Sequence, residues 1–193
     1  MATPPPFQPL VCVVDFHHAR GPEISDWFGA GDSDPTSEND WSLIPYMALP
    51  DGAHQAEEEF SYFSLVYKAK DGHEVEPTSV FGISCMHQID SSQLLYRPED
   101  VTRSAVQKAV VAITDQPQSF SALRGKLSAV TGAWFAQKDF RETEILEVGE
   151  WPSLLSMEWA SGDKTLTVGC SPSKRAWSPM QEARMMRENT TLA

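Results

Sequence analysis

The sequence predicts an α+β fold with a mostly antiparallel sheet, and the order of its elements is the main reason. Segments with strand character come first along the chain, and the clearest helical pattern follows them at 120–138. Gly21-Pro22 and Asp71-Gly72 lie between pairs of apolar segments, where they favour hairpin connections. Such connections join strands that run in opposite directions.

The length and composition limit the classes of protein that need to be considered. The chain has 193 residues, of which 41% are hydrophobic, enough for one domain with a real core. No uninterrupted apolar run exceeds five residues, whereas a membrane-spanning helix needs about 20, so none is predicted. Cys12, Cys85 and Cys170 make no even disulfide framework and indicate reduced thiols in an intracellular protein. The net charge of −12 argues against a nucleic-acid partner.

The first two strands are predicted from an apolar, β-branched segment and its return. Residues 10–16 predict a buried central strand, which Gly21-Pro22 interrupts, and residues 23–28 predict its hairpin partner. A loop rich in Gly, Asp, Ser and Pro then continues to about Asp40. Its acidic residues indicate a solvated connection, with an interaction segment for a basic partner as the alternative. These residues are Asp32, Asp34, Glu38 and Asp40.

The middle of the chain predicts a second hairpin. A short apolar segment, residues 41–49, is closed by a turn at 50–52. Residues 60–68 carry large side chains on both alternating faces, which predicts a strand inside the sheet with both sides covered. Asp71-Gly72 leads to a returning strand at 80–89, and a turn starts at 98–100.

Residues 105–146 predict one strand and two helices. Residues 105–114 fit a helix or a strand, and their Val, Ile and Thr content favours a strand. Residues 120–138 predict a helix with Ser119 as its N-cap. A short helix is expected over 144–146, capped by Thr143. Gly149 and Pro152 are expected to disrupt this helix within two turns.

The apolar stripe of the long helix is expected to pack on the sheet. We expect residues 10–14, 81–85 and 106–113 to be neighbouring or near-neighbouring strands beneath it. Because Phe135 and Ala136 widen the stripe, a groove for a partner is the alternative. The stripe consists of Phe120, Leu123, Leu127, Val130 and Trp134. The charged residues Asp100, Arg103, Lys108 and Arg124 are expected at the surface.

The histidines and cysteines are the only residues that suggest chemistry. Cys85 and His87 share one face of a predicted strand, and with other histidines they could supply zinc ligands. No C-x-x-C or H-E-x-x-H pattern is present, however, and no G-x-S-x-G, P-loop or G-x-G-x-x-G. We therefore expect hydrogen-bonded structural histidines, no metal, no cofactor and no catalysis by the chain's own side chains. The candidates are His17, His18, His54, His73, Cys85 and His87.

Five blocks along the chain carry a resemblance to one known family. Residues 13–18 read V-V-D-F-H-H before Gly21, residues 44–54 read I-P-Y-M-A-L-P-D-G-A-H after Trp41, and residues 80–85 read V-F-G-I-S-C before Gln88. Residues 97–108 contain R, D-V-T-R and V-Q-K in order, and residues 135–146 contain F, K-D-F and I-L. In this order the blocks resemble the AVL-nine family of late-secretory-pathway proteins, members of the DENN superfamily.

The resemblance implies a longin-like fold, the upstream (uDENN) lobe of a DENN module. It implies a role in vesicle traffic from the Golgi to the cell surface, with a small GTPase of the Rab type or another trafficking protein as partner. The implied location is cytoplasmic, peripherally associated with Golgi or secretory vesicles. No family pattern assigns catalytic side chains here. The alternatives are a small metal- or thiol-dependent enzyme using His17, His18, Cys85 and His87, and a non-functional partial gene product.

The chain departs from the family pattern after Leu146. The family continues there in a charged amphipathic helix, and its G-x-S-P motif, here at 169–172, leads into a central lobe. This chain instead continues into a polar, net basic segment. We expect a disordered leader at 1–9, a longin-like uDENN lobe at 10–160 and a divergent, disordered tail at 161–193. Without a central lobe, nucleotide exchange is not expected of this chain alone.

Overall fold

Five strands and four helices make up the described part of the chain. The computed structural model describes residues 7–31, 34–49, 56–68 and 76–147. The strands are β1 (Leu10–His17), β2 (Gly21–Phe28), β3 (Glu58–Tyr67), β4 (Thr78–Asp90) and β5 (Ala105–Thr114). The helices are α1 (Pro35–Asn39), α2 (Ile44–Ala48), α3 (Phe120–Ala136) and α4 (Glu144–Glu147).

The strands form one sheet in the order β2-β1-β5-β4-β3. Every neighbouring pair is antiparallel, which confirms the α+β class and the mostly antiparallel sheet. β5 has the bounds predicted from its Val, Ile and Thr content, and it lies between β1 and β4 as expected. β2 returns beside β1 as the predicted hairpin partner.

The position of β3 in the sheet corrects the prediction made from residues 60–68. β3 is an edge strand, paired with β4 alone among the described strands. Phe63 and Tyr67 pack in one apolar cluster and Phe60 in the other, but Tyr62 and Val66 are exposed, so the face that carries them is only partly covered. Alternation reports what lies above and below a sheet, whereas edge position depends on the neighbouring strand in its plane. The pattern could not distinguish the two.

Two apolar clusters lie on opposite faces of the sheet, because successive strand residues point to opposite sides. Leu10, Cys12 and Val14 of β1 contribute to the cluster that includes α2, and Val11 and Val13 to the cluster beneath α3. The second cluster has the expected helix stripe at its centre. Its buried members are Val11, Val13, Ile83, Cys85, Val110, Ala112, Leu123, Leu127, Trp134, Phe135 and Leu146.

Helix α3 is confirmed in place but differs from the prediction in two details. Val130 is only partly buried, and Thr131 is buried beside it. Ser119 does not cap the helix through its side chain. Its hydroxyl donates instead to the Gln116 carbonyl at 2.7 Å, within a 3-10 turn at Pro117–Ser119. Phe135 is buried, so the wider stripe is accommodated within the core.

The acidic loop contains a short helix that the composition did not predict. The Asp34 carboxylate accepts from the Thr36 backbone N–H at 3.0 Å, which caps the N-terminus of α1. Asp40 follows the helix with a φ of 58°, a left-handed position that aspartate tolerates better than most residues. Asp34 and Asp40 therefore lie at the two ends of a helix, and this part of the loop is not a uniform solvated connection.

Several predictions lie outside the described residues. These are the turns at 50–52 and 71–72, His54, His73 and Cys170, most of the leader, and everything after 147. The turn at 98–100 is confirmed, since the Val101 N–H donates to the Pro98 carbonyl at 3.2 Å. Among the described helices, none has the length and apolar character required to cross a membrane.

Candidate functional site

Four polar side chains form one row across the sheet, on the face covered by α3. Asp15 on β1 lies opposite Lys108 on β5, and Lys108 lies opposite His87 on β4. His87 in turn lies opposite Glu58 on the edge strand β3. Directly opposite residues in antiparallel strands project on the same face. The strand register therefore brings together four residues that are far apart in the sequence.

The Asp15–Lys108 ion pair occupies one end of this row. The Lys108 side chain is only 11% exposed, so its expected place at the surface is wrong. Its ammonium contacts the Asp15 carboxylate and lies 5.2 Å from the centre of the Phe140 ring. An ion pair and an aromatic ring together offset part of the cost of removing a lysine from water.

Glu58 and His87 occupy the other end of the row, with Cys85 beside them. One carboxylate oxygen of Glu58, Oε2, lies 3.0 Å from His87 Nε2 and 3.8 Å from Cys85 Sγ, and it also accepts from the Ser128 hydroxyl. Burial would raise the pKa of Glu58, but the hydrogen bonds from Ser128 and His87 outweigh it and hold that pKa below its usual value. Glu58 is therefore a carboxylate at neutral pH.

The Cys85 thiol does not have the character of a nucleophile. Burial raises the pKa of Cys85 to about 12. Burial also raises the pKa of Cys12, which lies in the other apolar cluster. Because the thiolate is the reactive form, both side chains are protonated and unreactive at neutral pH. This observation weighs against the thiol-enzyme alternative.

His17 and His18 bind other parts of the chain. His17 Nδ1 accepts from the backbone N–H groups of Ala19 and Arg20 at 3.1 and 3.0 Å. Its Nε2 lies 3.3 Å from the Asp100 carboxylate. With Nδ1 occupied as an acceptor, the neutral ring carries its proton on Nε2, which donates towards Asp100. His17 thus fixes the turn between β1 and β2 and connects it to the segment before β5.

His18 makes a similar connection to a different segment. Its Nδ1 accepts from the backbone N–H groups of Thr102 and Arg103 at 2.8 and 2.9 Å. Protonation of Nδ1 would place a third N–H group against these two backbone N–H groups, and both hydrogen bonds would be lost. Burial, followed by the positive charge of Arg103, lowers the pKa of His18 below its ordinary value of 6.5. The three described histidines are thus hydrogen-bonded, as the sequence led us to expect.

The low pKa of His18 predicts a specific loss of stability on acidification. In the unfolded chain His18 takes up its proton near pH 6.5, whereas in the folded chain it does so only at lower pH. The unfolded state then binds more protons, so the free energy of unfolding falls as the pH drops below about 6.5. His18→Asn keeps a side-chain acceptor but removes the titrating ring. Thermal unfolding at pH 7, 6 and 5 should show a smaller loss for His18→Asn than for the unmodified chain, and equal losses would contradict the prediction.

A pocket of about 200 Å³ lies beside the two histidines. Most of its charged residues have a charged partner, which for Arg141 is a residue outside the lining. Asp15 pairs with Lys108, His17 with Asp100, and Arg141 with Asp139. The pocket therefore presents little uncompensated charge by which to select a ligand. Its remaining lining includes Phe16, His18, Leu94, Tyr96, Pro98, Val101, Val106 and Phe140.

The four residues of the enzyme alternative are divided between two places. Cys85 and His87 lie together with Glu58, while His17 and His18 lie at the end of β1, on the other side of β5. The sequence reasoning missed Glu58, although it lies directly opposite His87. A hairpin that pairs residues 58–67 with 78–87 places Glu58 opposite His87. The Asp71-Gly72 turn signal indicates such a hairpin, but it does not give the pairing register.

Comparisons with known proteins identify relatives along most of the chain. The family described as Transport protein Avl9 matches residues 9–165, a range that includes every described strand and helix. Over 150 residues the chain is 43% identical to the "Late secretory pathway protein AVL9" of Saccharomyces cerevisiae, an alignment that covers 71% of this chain. It is also 43% identical over 141 residues, 72% of the chain, to the "Late secretory pathway protein avl9" of Schizosaccharomyces pombe.

These alignments cover only a small part of the relatives. They span 19% of the Saccharomyces cerevisiae protein and 28% of the Schizosaccharomyces pombe protein. No solved structure matches the chain significantly.

Proposed function

Because the chain belongs to the Avl9 family of transport proteins, we propose that it acts in vesicle traffic of the late secretory pathway. In this proposal it is the N-terminal, longin-like uDENN lobe of a DENN-type regulator of Rab GTPases. It works as a protein-binding module, located in the cytoplasm and peripherally associated with Golgi or secretory vesicles. The names of the two relatives support the pathway, and the antiparallel sheet with helices on both faces supports the lobe.

Exposed apolar side chains around β3 are the observation that carries the proposed binding role. Leu43 lies just before α2 and is 64% exposed, and Tyr46 lies within α2 and is 61% exposed. Tyr62 and Val66, on β3 itself, are 51% and 54% exposed. They are four of the six large apolar side chains that are exposed in the described part of the chain. Tyr62 and Val66 project on the face covered by α3, and α2 packs on the opposite face, so the four side chains flank the edge from both sides. We call these four residues the β3-edge surface.

The backbone of β3 adds to the case for a contact at this edge. At its C-terminal end, the Trp41 indole donates to the Val66 carbonyl at 2.8 Å, and the Lys68 N–H donates to the Asn39 side chain at 3.0 Å. These contacts close one end of the edge. Along residues 58–64 no described strand pairs with its outer side, so an incoming strand could add there. We propose that a Rab-type GTPase makes this contact.

Binding to purified Rab GTPases tests the proposal. The 193-residue chain should retain at least one GTPase from a panel offered in nucleotide-free and GTP-loaded forms. Tyr46→Ser should weaken that binding by about tenfold, as expected for an aromatic contact at an interface. Leu95→Ser is the matched control, because Leu95 is 77% exposed but lies in the segment after β4, outside the β3-edge surface.

Two outcomes would count against the proposal in different ways. If the folded chain retains no GTPase in either nucleotide state, the GTPase partner is wrong. If Leu95→Ser weakens binding as much as Tyr46→Ser, the GTPase stands but the β3-edge surface is wrong. Sedimentation of each variant should accompany the measurement, because self-association of the chain through the same edge would also reduce its binding.

A further inference from the structure

We propose that Glu58, Cys85 and His87 form a binding site for a divalent transition-metal ion, with Zn²⁺ as the best match to their donors. The site goes beyond the trafficking role and does not depend on it. One carboxylate oxygen, one sulfur and one imidazole nitrogen are each common zinc ligands. A combination of these three types suits a borderline-soft cation better than Mg²⁺ or Ca²⁺, which prefer oxygen donors.

The three donor atoms already lie close together. All of them are within 4.8 Å of one another. Zinc–ligand bonds of about 2.0–2.3 Å in a tetrahedral site would hold its ligand atoms about 3.3–3.7 Å apart. The separations of Glu58 Oε2 from His87 Nε2, 3.0 Å, and from Cys85 Sγ, 3.8 Å, lie near this range. Small side-chain movements would therefore complete the arrangement.

The surroundings hold two of the ligands in place. The Ser128 hydroxyl on α3 donates to the Glu58 carboxylate, and the Phe135 ring lies 5.3 Å from the His87 ring. Hydrogen bonds and packing around the ligands are the usual means of orienting a metal site. The side chains of Glu58 and His87 are 35% and 17% exposed, so a cation can reach the site from solvent.

A buried hydroxyl on α3 lies against the proposed site. Thr131 is fully buried on α3, and its Oγ1 has no hydrogen-bond partner within the described part of the chain. It lies close enough to the Cys85 thiol for its hydroxyl to favour the thiolate form of that side chain. Buried polar atoms are nearly always satisfied. Water in the fourth position of a three-ligand zinc site would supply a partner at this place.

Binding includes the loss of one proton. Zn²⁺ displaces the proton of the Cys85 thiol, which passes to water, and the zinc–sulfur bond forms with the resulting thiolate. In the absence of a cation the thiol stays protonated, and the charge of a bound cation reverses that preference. Affinity should therefore increase with pH. The bound ion would connect β3 to β4 at the open edge and stabilise the folded chain.

Zinc and cobalt binding to the full chain tests this site. After removal of metals with a chelator, the chain should bind one equivalent of Zn²⁺, and its thermal midpoint should rise. Co²⁺ should produce a sulfur-to-cobalt charge-transfer band in the near ultraviolet. Cys85→Ser should abolish the band, and His87→Gln should weaken zinc binding by about 10–100-fold. Cys12→Ser is the matched control, because Cys12 is equally buried but lies in the opposite apolar cluster.

The proposal is overturned if the folded chain binds no zinc at micromolar concentrations. It is also overturned if Cys85→Ser retains the cobalt band, since another thiol would then be the ligand. Should Cys85→Ser fail to fold, His87→Gln and Glu58→Gln decide, because both replace partly exposed side chains. Unchanged zinc affinity in both of those variants would exclude the site.

Discussion

Replacing Leu127 by alanine is expected to lower the free energy of unfolding by about 2–5 kcal/mol. Leu127 is fully buried at the centre of α3, in the cluster that joins the helix to the sheet. The substitution removes three carbon atoms from a close-packed place, and the fixed strands below cannot collapse to fill the cavity. Chemical denaturation of the two proteins measures the difference directly.

The control for this prediction uses the same substitution at an exposed leucine. Leu95→Ala should change the free energy of unfolding by less than about 0.5 kcal/mol, because Leu95 is 77% exposed. A loss for Leu127→Ala as small as that of the control would mean that α3 does not bury this face. The assignment of the apolar stripe to the core would then be wrong.

Gly82→Ala should be the second most damaging of the predicted substitutions, at about 1–3 kcal/mol. Gly82 on β4 lies directly opposite Phe63 on β3, and the Phe63 ring covers it. A Cβ at residue 82 would overlap the ring, so the ring would have to move out of its cluster. The absence of a side chain at Gly82 is what makes room for an aromatic residue at the edge of the sheet.

A double-mutant cycle separates this crowding from any effect of alanine itself. Phe63→Leu removes most of the overlapping ring atoms but keeps an apolar side chain. In that background Gly82→Ala should cost less, and the two changes should be clearly non-additive. Equal costs of Gly82→Ala in both backgrounds would show that Phe63 is not responsible.

The secondary structure was largely predictable because its signals are local. β1 and β5 were predicted within a residue of their bounds from β-branched, apolar runs. α3 was predicted from apolar residues at a helical spacing, and it ends at Ala136, two residues before the predicted end. Each pattern depends on a period within the segment itself, so no partner has to be known.

The errors concern properties that depend on distant parts of the chain. The edge position of β3 is set by which strands lie beside it. The burial of Lys108 depends on Asp15, 93 residues away, and on Phe140 beyond α3. In both cases a local rule was overruled by a contact that the local sequence does not contain. Ser119 is a different case, because the hydroxyl of this predicted cap donates to Gln116, only three residues earlier.

The sequence by itself determined the fold class and the family, since ordered motifs and periodic segments are properties of the chain read in one dimension. It also placed Cys85 and His87 on one face of a strand. Only the tertiary structure shows that Glu58 lies opposite His87, with Ser128 and Thr131 of α3 beside this cluster. It also shows that His17 and His18 lie apart from the cluster. The reason is the pairing register of the sheet. A shift by one residue would turn Glu58 to the other face and leave the cluster without its carboxylate.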